Sequence, residues 1–133
     1  MYKVLLVDDE YMITEGLKRL IPFEKWDMEV VATANHADEA LDYVREHPVD
    51  IVISDVNMPD KTGLEMIQEM KNILPDSYYI LLSGYQEFDY VKKAMNLNVV
   101  DYLVKPVDKV ELGNILEKIA NQLGEKIEEP LIL

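Results

Sequence analysis

Four apolar runs in this sequence each end in a residue that can take part in polar chemistry. These residues are Asp8 with Asp9, Asp55, Ser83 and Lys105. Three carboxylates that lie close together repel one another, and the repulsion raises their pKa values unless a cation lies among them. If the runs are neighbouring strands of one sheet, we therefore expect a cation site at the ends of those strands.

Oxygen ligands of this kind are typical of a magnesium site. Mg²⁺ binds carboxylates and carbonyls, keeps several of its waters, and is commonly completed by the phosphate of a substrate. Asp8, Asp9 and Asp55 supply the carboxylates, and the loop after Asp55 can supply the main-chain carbonyl of Asn57. The sequence therefore predicts Mg²⁺ as the cofactor, with these four residues as its candidate ligands.

A carboxylate that the metal engages only in part can attack phosphorus and form an acyl phosphate. Phosphoryl transfer depends mainly on alignment and on neutralisation of charge. Besides the metal, the Lys105 ammonium can neutralise one phosphate oxygen and the Ser83 hydroxyl can donate a hydrogen bond to another. These groups are sufficient for an aspartyl phosphate at Asp55 without a histidine. We interpret His36 and His47, in or beside the second predicted helix, as solvated surface residues.

Apolar runs and helical periodicity alternate along the chain. The run Ile51–Ser54 has no polar alternation, which predicts a buried central strand of a parallel sheet. Further strands are predicted at Lys3–Val7, Glu29–Ala32, Tyr78–Leu82 and Val99–Val104, each followed by a helix. Alternating strand–helix units with short connections form a parallel sheet with right-handed crossovers. The fold class is therefore α/β, a three-layer α/β/α sandwich with its chemistry at the carboxyl ends of the strands.

Cap signals and apolar spacing bound the predicted helices. Asn35 is the predicted cap of the second helix, Thr62 with Glu65 forms a predicted capping box at the third, and Asp108 with Glu111 has the same spacing at the fifth. The predicted core-facing residues include Ile13, Leu17, Leu20 and Ile21 in the first helix, Leu64, Ile67 and Met70 in the third, Phe88, Val91 and Met95 in the fourth, and Leu112, Leu116 and Ile119 in the last.

The composition indicates one compact cytoplasmic domain. The chain has 133 residues, of which 49% are hydrophobic, enough for one core but not for a second domain. It contains no cysteine, which excludes disulfides, thiolate metal sites and cysteine nucleophiles. We expect neither a membrane span nor a signal peptide. The formal net charge of −13 argues against direct nucleic-acid binding and favours proteins, cations or small phosphate donors as partners.

Four ordered motifs resemble the receiver domain of bacterial two-component response regulators. The motifs are Val7-Asp8-Asp9-Glu10, Ile53-Ser54-Asp55-Val56-Asn57-Met58-Pro59, Ser83-Gly84 and Asp101-Tyr102-Leu103-Val104-Lys105-Pro106. The resemblance implies a flavodoxin-like fold with the strand order 2-1-3-4-5. It also implies a receiver domain at residues 1–123, followed at residues 124–133 by the start of a linker or by an added tail.

The resemblance also implies how the acidic residues act. In the family, the residue at the position of Asp55 accepts a phosphoryl group from a sensor histidine kinase. Asp8 and Asp9 form the acidic pocket, and Asp9, Asp55 and the Asn57 carbonyl are the implied direct ligands of Mg²⁺. On this basis the chain is not an enzyme with a separate substrate, because its phosphoryl transfer and dephosphorylation are self-directed.

Three further residues belong to the switch that the resemblance implies. Ser83 and Lys105 sense the phosphate, and the Lys105–Pro106 bond is expected to be cis, which X-Pro bonds adopt at low cost. Tyr102 is expected to turn inward after phosphorylation and to change the face formed by the fourth helix, the fifth strand and the fifth helix. Physically, the added charge and acceptors favour one of two arrangements.

The sequence after the fourth strand resembles one branch of this family. Ser83–Phe88, with Tyr90 and Lys92–Ala94, is similar to receivers that precede an AraC-type helix-turn-helix output domain. We therefore expect control of transcription through a DNA-binding output domain that these residues do not include, with phosphorylation-dependent homodimerisation as a secondary expectation. Asn57 and Tyr85 stand at positions whose variation is associated in the family with the rate of dephosphorylation.

Three alternative functions fit parts of the pattern. A phosphohydrolase that acts through an aspartyl phosphate needs a second acid spaced along the first loop, and Asp8-Asp9-Glu10-Tyr11 lacks that spacing. A flavin-binding electron carrier needs a loop rich in hydroxyls and glycine at this place. A degenerate receiver that signals by protein contact without phosphorylation is the third alternative, and the intact acidic set counts against it.

Overall fold

The computed structural model describes residues 1–84, 88–97, 99 and 101–128, with the backbone alone for residues 88–91 and 126–128. The predictions for Tyr85, for the side chains of Phe88 and Val91, for Val100 and for residues 129–133 lie outside the described residues. The strands are β1 (Tyr2–Val7), β2 (Met28–Ala34), β3 (Ile51–Asp55), β4 (Tyr78–Ser83) and β5 (Asp101–Val104). The helices are α1 (Tyr11–Leu20), α2 (Ala37–Glu46), α3 (Gly63–Ile73), α4 (Phe88–Asn96) and α5 (Lys109–Glu128).

The five strands form one parallel sheet in the order β2-β1-β3-β4-β5. The predicted fold class and strand order are confirmed. Every residue of β3 is buried, as its unbroken apolar sequence predicted for a central strand covered on both faces. The order reverses between β1 and β3, and a crevice forms at such a switch point beyond the carboxyl ends of the strands.

Each face of the sheet has its own hydrophobic core. Leu17 of α1 and Leu116 of α5 pack with Ile53 in one core. Leu41 of α2 and Ile67 of α3 pack with Val52 in the other. Because successive strand residues point to opposite faces, neighbouring residues of β3 belong to different cores. The sheet is thus held rigidly from both sides, and its strand ends provide fixed positions for polar side chains.

The cap of α2 is His36, so the prediction of Asn35 was wrong. The Nδ1 atom of His36 accepts a hydrogen bond from the backbone N–H of Glu39 at 3.3 Å, while the backbone N–H of Asn35 donates to the Glu39 carboxylate. His36 therefore has a structural role beyond that of a solvated residue. The other histidine, His47, ends α2 and lies with its ring centroid 4.7 Å from that of Tyr43.

Two predicted core residues are exposed instead. Leu20 in α1 is 46% exposed and Met95 in α4 is 64% exposed, whereas the neighbouring Ile21 and Ala94 are buried. Consecutive helical residues point about 100° apart, so a residue next to one that faces the core can lie outside the buried face of the helix. Of the other predicted core residues whose side chains the structure describes, Ile13 is half-buried and the rest are buried, including Ile67 in α3.

Helix boundaries elsewhere follow the local signals. The capping box of Thr62 and Glu65 is present at the start of α3, and the Asp108 carboxylate accepts hydrogen bonds from the first turn of α5. The predicted loop after α1 contains a short 3₁₀ helix, Phe23–Trp26. None of the helices in the described part of the chain combines the length and the apolar character that crossing a membrane requires.

Candidate functional site

The ends of β1 and β3 bring two carboxylates together. Val7 pairs with Ser54 in the parallel register of these strands, so the next residues, Asp8 just after β1 and Asp55 at the end of β3, lie side by side. Asp8 is 2% exposed and Asp55 is 5% exposed. Two acidic side chains are thus buried where the strand order reverses, as the sequence predicted.

Lys105 contacts both of these carboxylates. Its Nζ atom lies 2.9 Å from Asp8 Oδ2 and 3.3 Å from Asp55 Oδ1. The lysine follows β5, and its backbone N–H donates to the carbonyl of Ser83 at 2.6 Å, which extends the pairing of β4 and β5 by one step. The following Lys105–Pro106 peptide bond is cis. The fold therefore places one ammonium group between residues that are 97 and 50 positions away in the sequence.

The surroundings of Asp55 raise its pKa above the ordinary value for an aspartate. Burial raises the pKa of Asp55 above 3.8, and the negative charge of Asp8 raises it further, against the opposing effect of Lys105. Burial lowers the pKa of Lys105. Its hydrogen bonds and ion pairs with Asp8 and Asp55 outweigh burial, so the pKa of Lys105 is raised. Lys105 is therefore a permanent cation at neutral pH, and it only partly offsets the two negative charges.

An acidic cluster extends the site toward solvent. Carboxylate oxygens of Asp8, Asp9 and Glu10 can all lie within 4.8 Å of one another. Asp8 is buried, while Asp9 and Glu10 are exposed. The sequence did not single out Glu10 as a ligand, although its place directly after the two aspartates was a usable signal. Hard oxygen donors with solvent access fit a magnesium ion, which binds few protein ligands and keeps waters.

Asp55 does not belong to that group of three, but the loop after it contacts its carboxylate. A hydrogen bond from the backbone of Asn57 lowers the pKa of Asp55, so the main chain of Asn57 lies at the site. A hydrogen bond from the Gly63 N–H to the Val56 carbonyl, 2.7 Å long, joins the two ends of this loop. A Cβ atom at Gly63 would clash with the carbonyl oxygen of Asp55. Only glycine fits at position 63. From the sequence alone, Gly63 was interpreted simply as a turn residue.

The two remaining predicted residues lie on the next strands. Ser83 is the last residue of β4 and is 1% exposed. Tyr102 is half-buried in β5, pairs with Leu81, and packs against the core beneath α2, α3 and α4. Ser83 is thus at the rim that carries Asp55, whereas Tyr102 lies within the strand, on the side of the sheet that α4 covers. The role of Ser83 as a sensor of phosphate and that of Tyr102 as the aromatic residue that turns inward remain predictions.

Comparison with known proteins agrees with this geometry. Residues 4–117 match the family described as the response regulator receiver domain. An uncharacterized response regulatory protein of Staphylococcus epidermidis is 40% identical over 126 residues, and the transcriptional regulatory protein HptR of Staphylococcus aureus is 37% identical over 126 residues. Both alignments cover 95% of this chain and 49% of the relative. The chain therefore spans about half the length of the curated relatives that it matches.

Two solved structures show the same fold. The receiver domain of AraT, a response regulator from Geobacillus stearothermophilus, superposes with a TM-score of 0.87 at 38% identity, covering 94% of this chain and 97% of that one. A two-component transcriptional regulator AraC from Clostridium phytofermentans superposes with a TM-score of 0.83 at 27% identity, covering 91% and 94% of the two chains. The chain belongs to the response regulator receiver domain family.

Proposed function

We propose that this chain is a cytoplasmic phosphoacceptor domain in which Asp55 receives a phosphoryl group from a sensor histidine kinase. The observation that carries the proposal is the contact of Lys105 with both Asp8 and Asp55 at the buried strand ends. An ion pair that only stabilises the fold balances one carboxylate with one ammonium. Two carboxylates with one ammonium, at the switch point of the sheet, are suited to a ligand that brings further charge.

The nucleophile in this proposal is a carboxylate oxygen of Asp55. It attacks the phosphorus of a phosphohistidine, the P–N bond breaks, and the imidazole leaves with the electron pair and takes up a proton. Lys105 then neutralises a phosphate oxygen in place of its contact with Asp55, and its pKa, raised by Asp8 and Asp55, keeps it charged throughout. Ser83 donates a hydrogen bond to another oxygen, because a hydroxyl is a small donor that can rotate toward it.

Magnesium is the cofactor in this proposal. Asp9, Asp55 and the Asn57 carbonyl are its direct protein ligands, and Asp8 supports them from the buried side of the acidic cluster. When bound, Mg²⁺ neutralises the charge of the carboxylates and of the incoming phosphoryl group. The exposed Asp9 and Glu10 leave room for the waters that this ion retains. The chain carries out no reaction on a separate substrate, so we do not propose that it is an enzyme in its own right.

The kinase docks, in this proposal, on the apolar surface of α1 beside the site. Met12 is 78% exposed and Leu20 is 46% exposed. They line a groove together with Pro106, Val107 and Lys105, the residue whose ammonium contacts Asp8 and Asp55. A large exposed methionine is unfavourable in water and typical of contact surfaces. A kinase helix that covers this groove would bring its phosphohistidine to Asp55.

The output in this proposal is transcription. The relative HptR is described as a transcriptional regulatory protein, and the chain covers about half of it. We infer that the whole protein joins this receiver to a DNA-binding output domain of the AraC type. Phosphorylation shifts Ser83 and Tyr102, alters the face formed by α4, β5 and α5, and through that face promotes homodimerisation or releases the output domain.

Phosphorylation of the purified chain by acetyl phosphate with Mg²⁺ tests the proposal. We expect one added phosphoryl group by intact mass, lost after treatment with hydroxylamine because an acyl phosphate is labile to it. Asp55→Ala should abolish the adduct. Asp42→Ala, which removes an exposed aspartate of α2, is the matched control and should retain it. An adduct of undiminished yield on Asp55→Ala, or none on the wild type, would show the assignment to be wrong.

Docking is tested separately with a sensor kinase from the same organism. Met12→Lys should slow transfer from the phosphorylated kinase, because it places a charge in the apolar groove. The same variant should react with acetyl phosphate at the wild-type rate, because Met12 lies outside the acidic cluster. Equal transfer from the kinase to both proteins would remove this surface from the proposal without affecting the role of Asp55.

A further inference from the structure

The loop that carries Asn57 is held at its middle as well as at its ends. Residues 56–62 connect β3 to α3. At the start of the loop, the Val56 N–H donates to the Leu82 carbonyl of β4 at 2.9 Å. At the end, the Gly63 N–H donates to the Val56 carbonyl at 2.7 Å. Between these two points, the side chain of Asp60 reaches the neighbouring helix α2.

Asp60 binds the first turn of α2 with both carboxylate oxygens. Its Oδ1 atom accepts a hydrogen bond from the Ala37 N–H at 3.1 Å, and its Oδ2 atom accepts one from the Asp38 N–H at 2.8 Å. The first N–H groups of a helix have no partner within the helix. His36 serves the N–H of Glu39, and Asp60 serves two others from 22 and 23 residues away. A negative charge at this end of a helix is also favourable for the helix dipole.

The charge state of Asp60 suits this role. Burial is the largest single effect and raises its pKa, but hydrogen bonds from the backbone N–H groups of Asp38, Ala37, Asp60 itself and Lys61 together outweigh burial and lower the pKa to about 2. The carboxylate is therefore ionised at any physiological pH. Charge-assisted hydrogen bonds are stronger than neutral ones, so this is a firm attachment between the loop and α2.

A second contact from the loop to α2 is weaker. Lys61 Nζ lies 3.3 Å from Asp38 Oδ1 and 2.7 Å from Glu69 Oε2. The Asp38 and Glu69 side chains are 62% and 50% exposed, and ion pairs in water contribute little to stability. Lys61 also has a partner on α3, the helix that begins where the loop ends. Asp60 is therefore the residue that fixes the middle of the loop relative to α2.

We propose that Asp60 is a positioning residue for the phosphoacceptor site, which acts by holding the 56–62 loop so that the main chain of Asn57 faces Asp55. The inference rests on the proposed function, because it assigns to the Asn57 carbonyl a share in binding Mg²⁺. Asp60 lies three residues after Asn57, and the loop that contains both is short. Without the attachment to α2, the loop would gain conformations in which the main chain of Asn57 no longer lies at the Asp55 carboxylate, where its carbonyl would be available to Mg²⁺.

A purely structural role of Asp60 as a cap of α2 would lead to a different result from a positioning role. If Asp60 only stabilised α2, its loss would lower the free energy of unfolding and leave the affinity for Mg²⁺ unchanged. If Asp60 positions the loop, the Mg²⁺ concentration that gives half the maximal phosphorylation rate rises, while the rate at saturating Mg²⁺ is retained. Groups that orient metal ligands typically change metal affinity by roughly 10- to 100-fold when removed.

The experiment measures the binding of Mg²⁺ alone by calorimetric titration and, beside it, the initial rate of phosphorylation by acetyl phosphate against Mg²⁺ concentration. For Asp60→Ala we expect the half-saturating Mg²⁺ concentration to rise by roughly tenfold, the lower end for such groups. Asp60→Asn keeps one carbonyl oxygen that can accept one of the two hydrogen bonds, and we expect a smaller rise. If Asp60→Ala does not fold, Asp60→Asn carries the test, because it preserves the shape of the side chain.

Two control variants separate the alternatives. Asp38→Asn removes a negative charge and the ion pair with Lys61 while leaving its backbone N–H bonded to Asp60, so it measures the combined effect of that charge and of the weaker contact between the loop and α2. Ser77→Ala removes the hydrogen bond from Ser77 Oγ to the Val49 carbonyl, 2.6 Å long and located where β3 and β4 begin. It measures the effect of lost stability at the opposite end of the sheet. Both controls should keep the wild-type half-saturation.

The outcomes distinguish this inference from the proposed function. Wild-type half-saturation in Asp60→Ala, or an equal rise in Asp38→Asn or Ser77→Ala, would overturn the positioning role and leave Asp55 as the phosphoacceptor. A wild-type chain that takes up no phosphoryl group would instead overturn the proposed function. A rise confined to the two Asp60 variants, larger for alanine than for asparagine, would support the inference.

Discussion

The charge balance at the site predicts that Asp55→Asn stabilises the fold at neutral pH. Asp55 is buried beside Asp8, and its pKa is raised by burial first and then by the charge of Asp8. A raised pKa means that the folded protein binds a proton at this group more tightly than the unfolded chain does. Ionised Asp55 therefore costs folding free energy near neutral pH, and the neutral amide of the same shape does not carry that cost.

The magnitude is the difference between two opposing effects. Lys105 Nζ lies 3.3 Å from Asp55 Oδ1, which at an effective dielectric constant of about 20 is an attraction of about 5 kcal/mol. The variant loses this attraction. It also loses the burial penalty and the repulsion from Asp8, which together exceed the attraction because the pKa is raised. We expect the remainder to be of the size usual for single substitutions, about 1–3 kcal/mol.

The sign of the pH dependence follows from the same shift. Below pH 3.8, the pKa of Asp in the unfolded chain, the carboxyl is protonated in both states and Asp55 contributes its full stability. That stability is lost as the pH rises through the raised pKa of the folded state. The advantage of Asp55→Asn over the wild type should therefore be greatest near neutral pH and should shrink as the pH falls.

Denaturant unfolding in EDTA measures this difference without a divalent cation. Trp26, the only tryptophan, packs against the core beneath α1 and α5 and reports unfolding by fluorescence. Asp42→Asn, on the exposed surface of α2, is the control and should show no comparable gain. A variant at Asp55 that is less stable than the wild type at neutral pH would refute the reasoning, and so would a gain that does not change with pH.

Three further substitutions test the packing and charge of the site. Lys105→Ala should lower the free energy of unfolding in EDTA by about 3 kcal/mol, since it leaves two buried carboxylates without their ammonium, and saturating Mg²⁺ should restore part of the loss; an unchanged denaturation midpoint would contradict this. Gly63→Ala should destabilise the fold by about 2–3 kcal/mol, because the added Cβ clashes with the carbonyl of Asp55. The control is Gly16→Ala, which has open space around it and should stabilise α1 by about 0.5–1 kcal/mol. Equal effects of the two substitutions on thermal unfolding would refute the assigned clash. Thr62→Ala should cost about 1 kcal/mol through loss of the capping box, with Thr62→Ser close to wild type in the same assay.

Sequence patterns predicted the parts of this fold that depend on neighbouring residues. The apolar run before Asp55 predicted a buried strand because only a strand covered on both faces has no polar side. The spacing of Thr62 and Glu65 predicted the start of α3 because a capping box requires just those residues in that order. The convergence of Asp8, Asp55 and Lys105 also followed, since parallel strands end at the same edge.

Contacts that cross between elements were not predictable in the same way. His36 and Asn35 can both accept the hydrogen bond of a helix cap. Which of them is the cap depends on whether α2 begins one residue earlier or later, and the sequence does not determine that position. The contact of Asp60 with α2 depends on how the loop folds over its neighbour, because no local pattern connects residues 22 positions apart. The requirement for glycine at position 63 likewise arises only from the nearby carbonyl of Asp55.

The charge count at the rim gives a physical reason why the proposed phosphoryl transfer would require a cation. Asp8, Asp9, Glu10 and Asp55 carry four negative charges when ionised, and Lys105 supplies one positive charge, which leaves a net charge of −3. A phosphoryl group on Asp55 replaces one carboxylate charge with about −1.5 to −2, so a rim without a further cation becomes more repulsive than it already is. A divalent cation would lower the net charge of the ionised rim from −3 to −1, and it would also favour the ionised nucleophile, because a nearby positive charge opposes the burial and the Asp8 charge that raise the pKa of Asp55. The excess of negative charge that destabilises the fold in EDTA is therefore the charge that a bound Mg²⁺ ion would offset. A stabilised Asp55→Asn variant would measure how much of this excess Asp55 contributes.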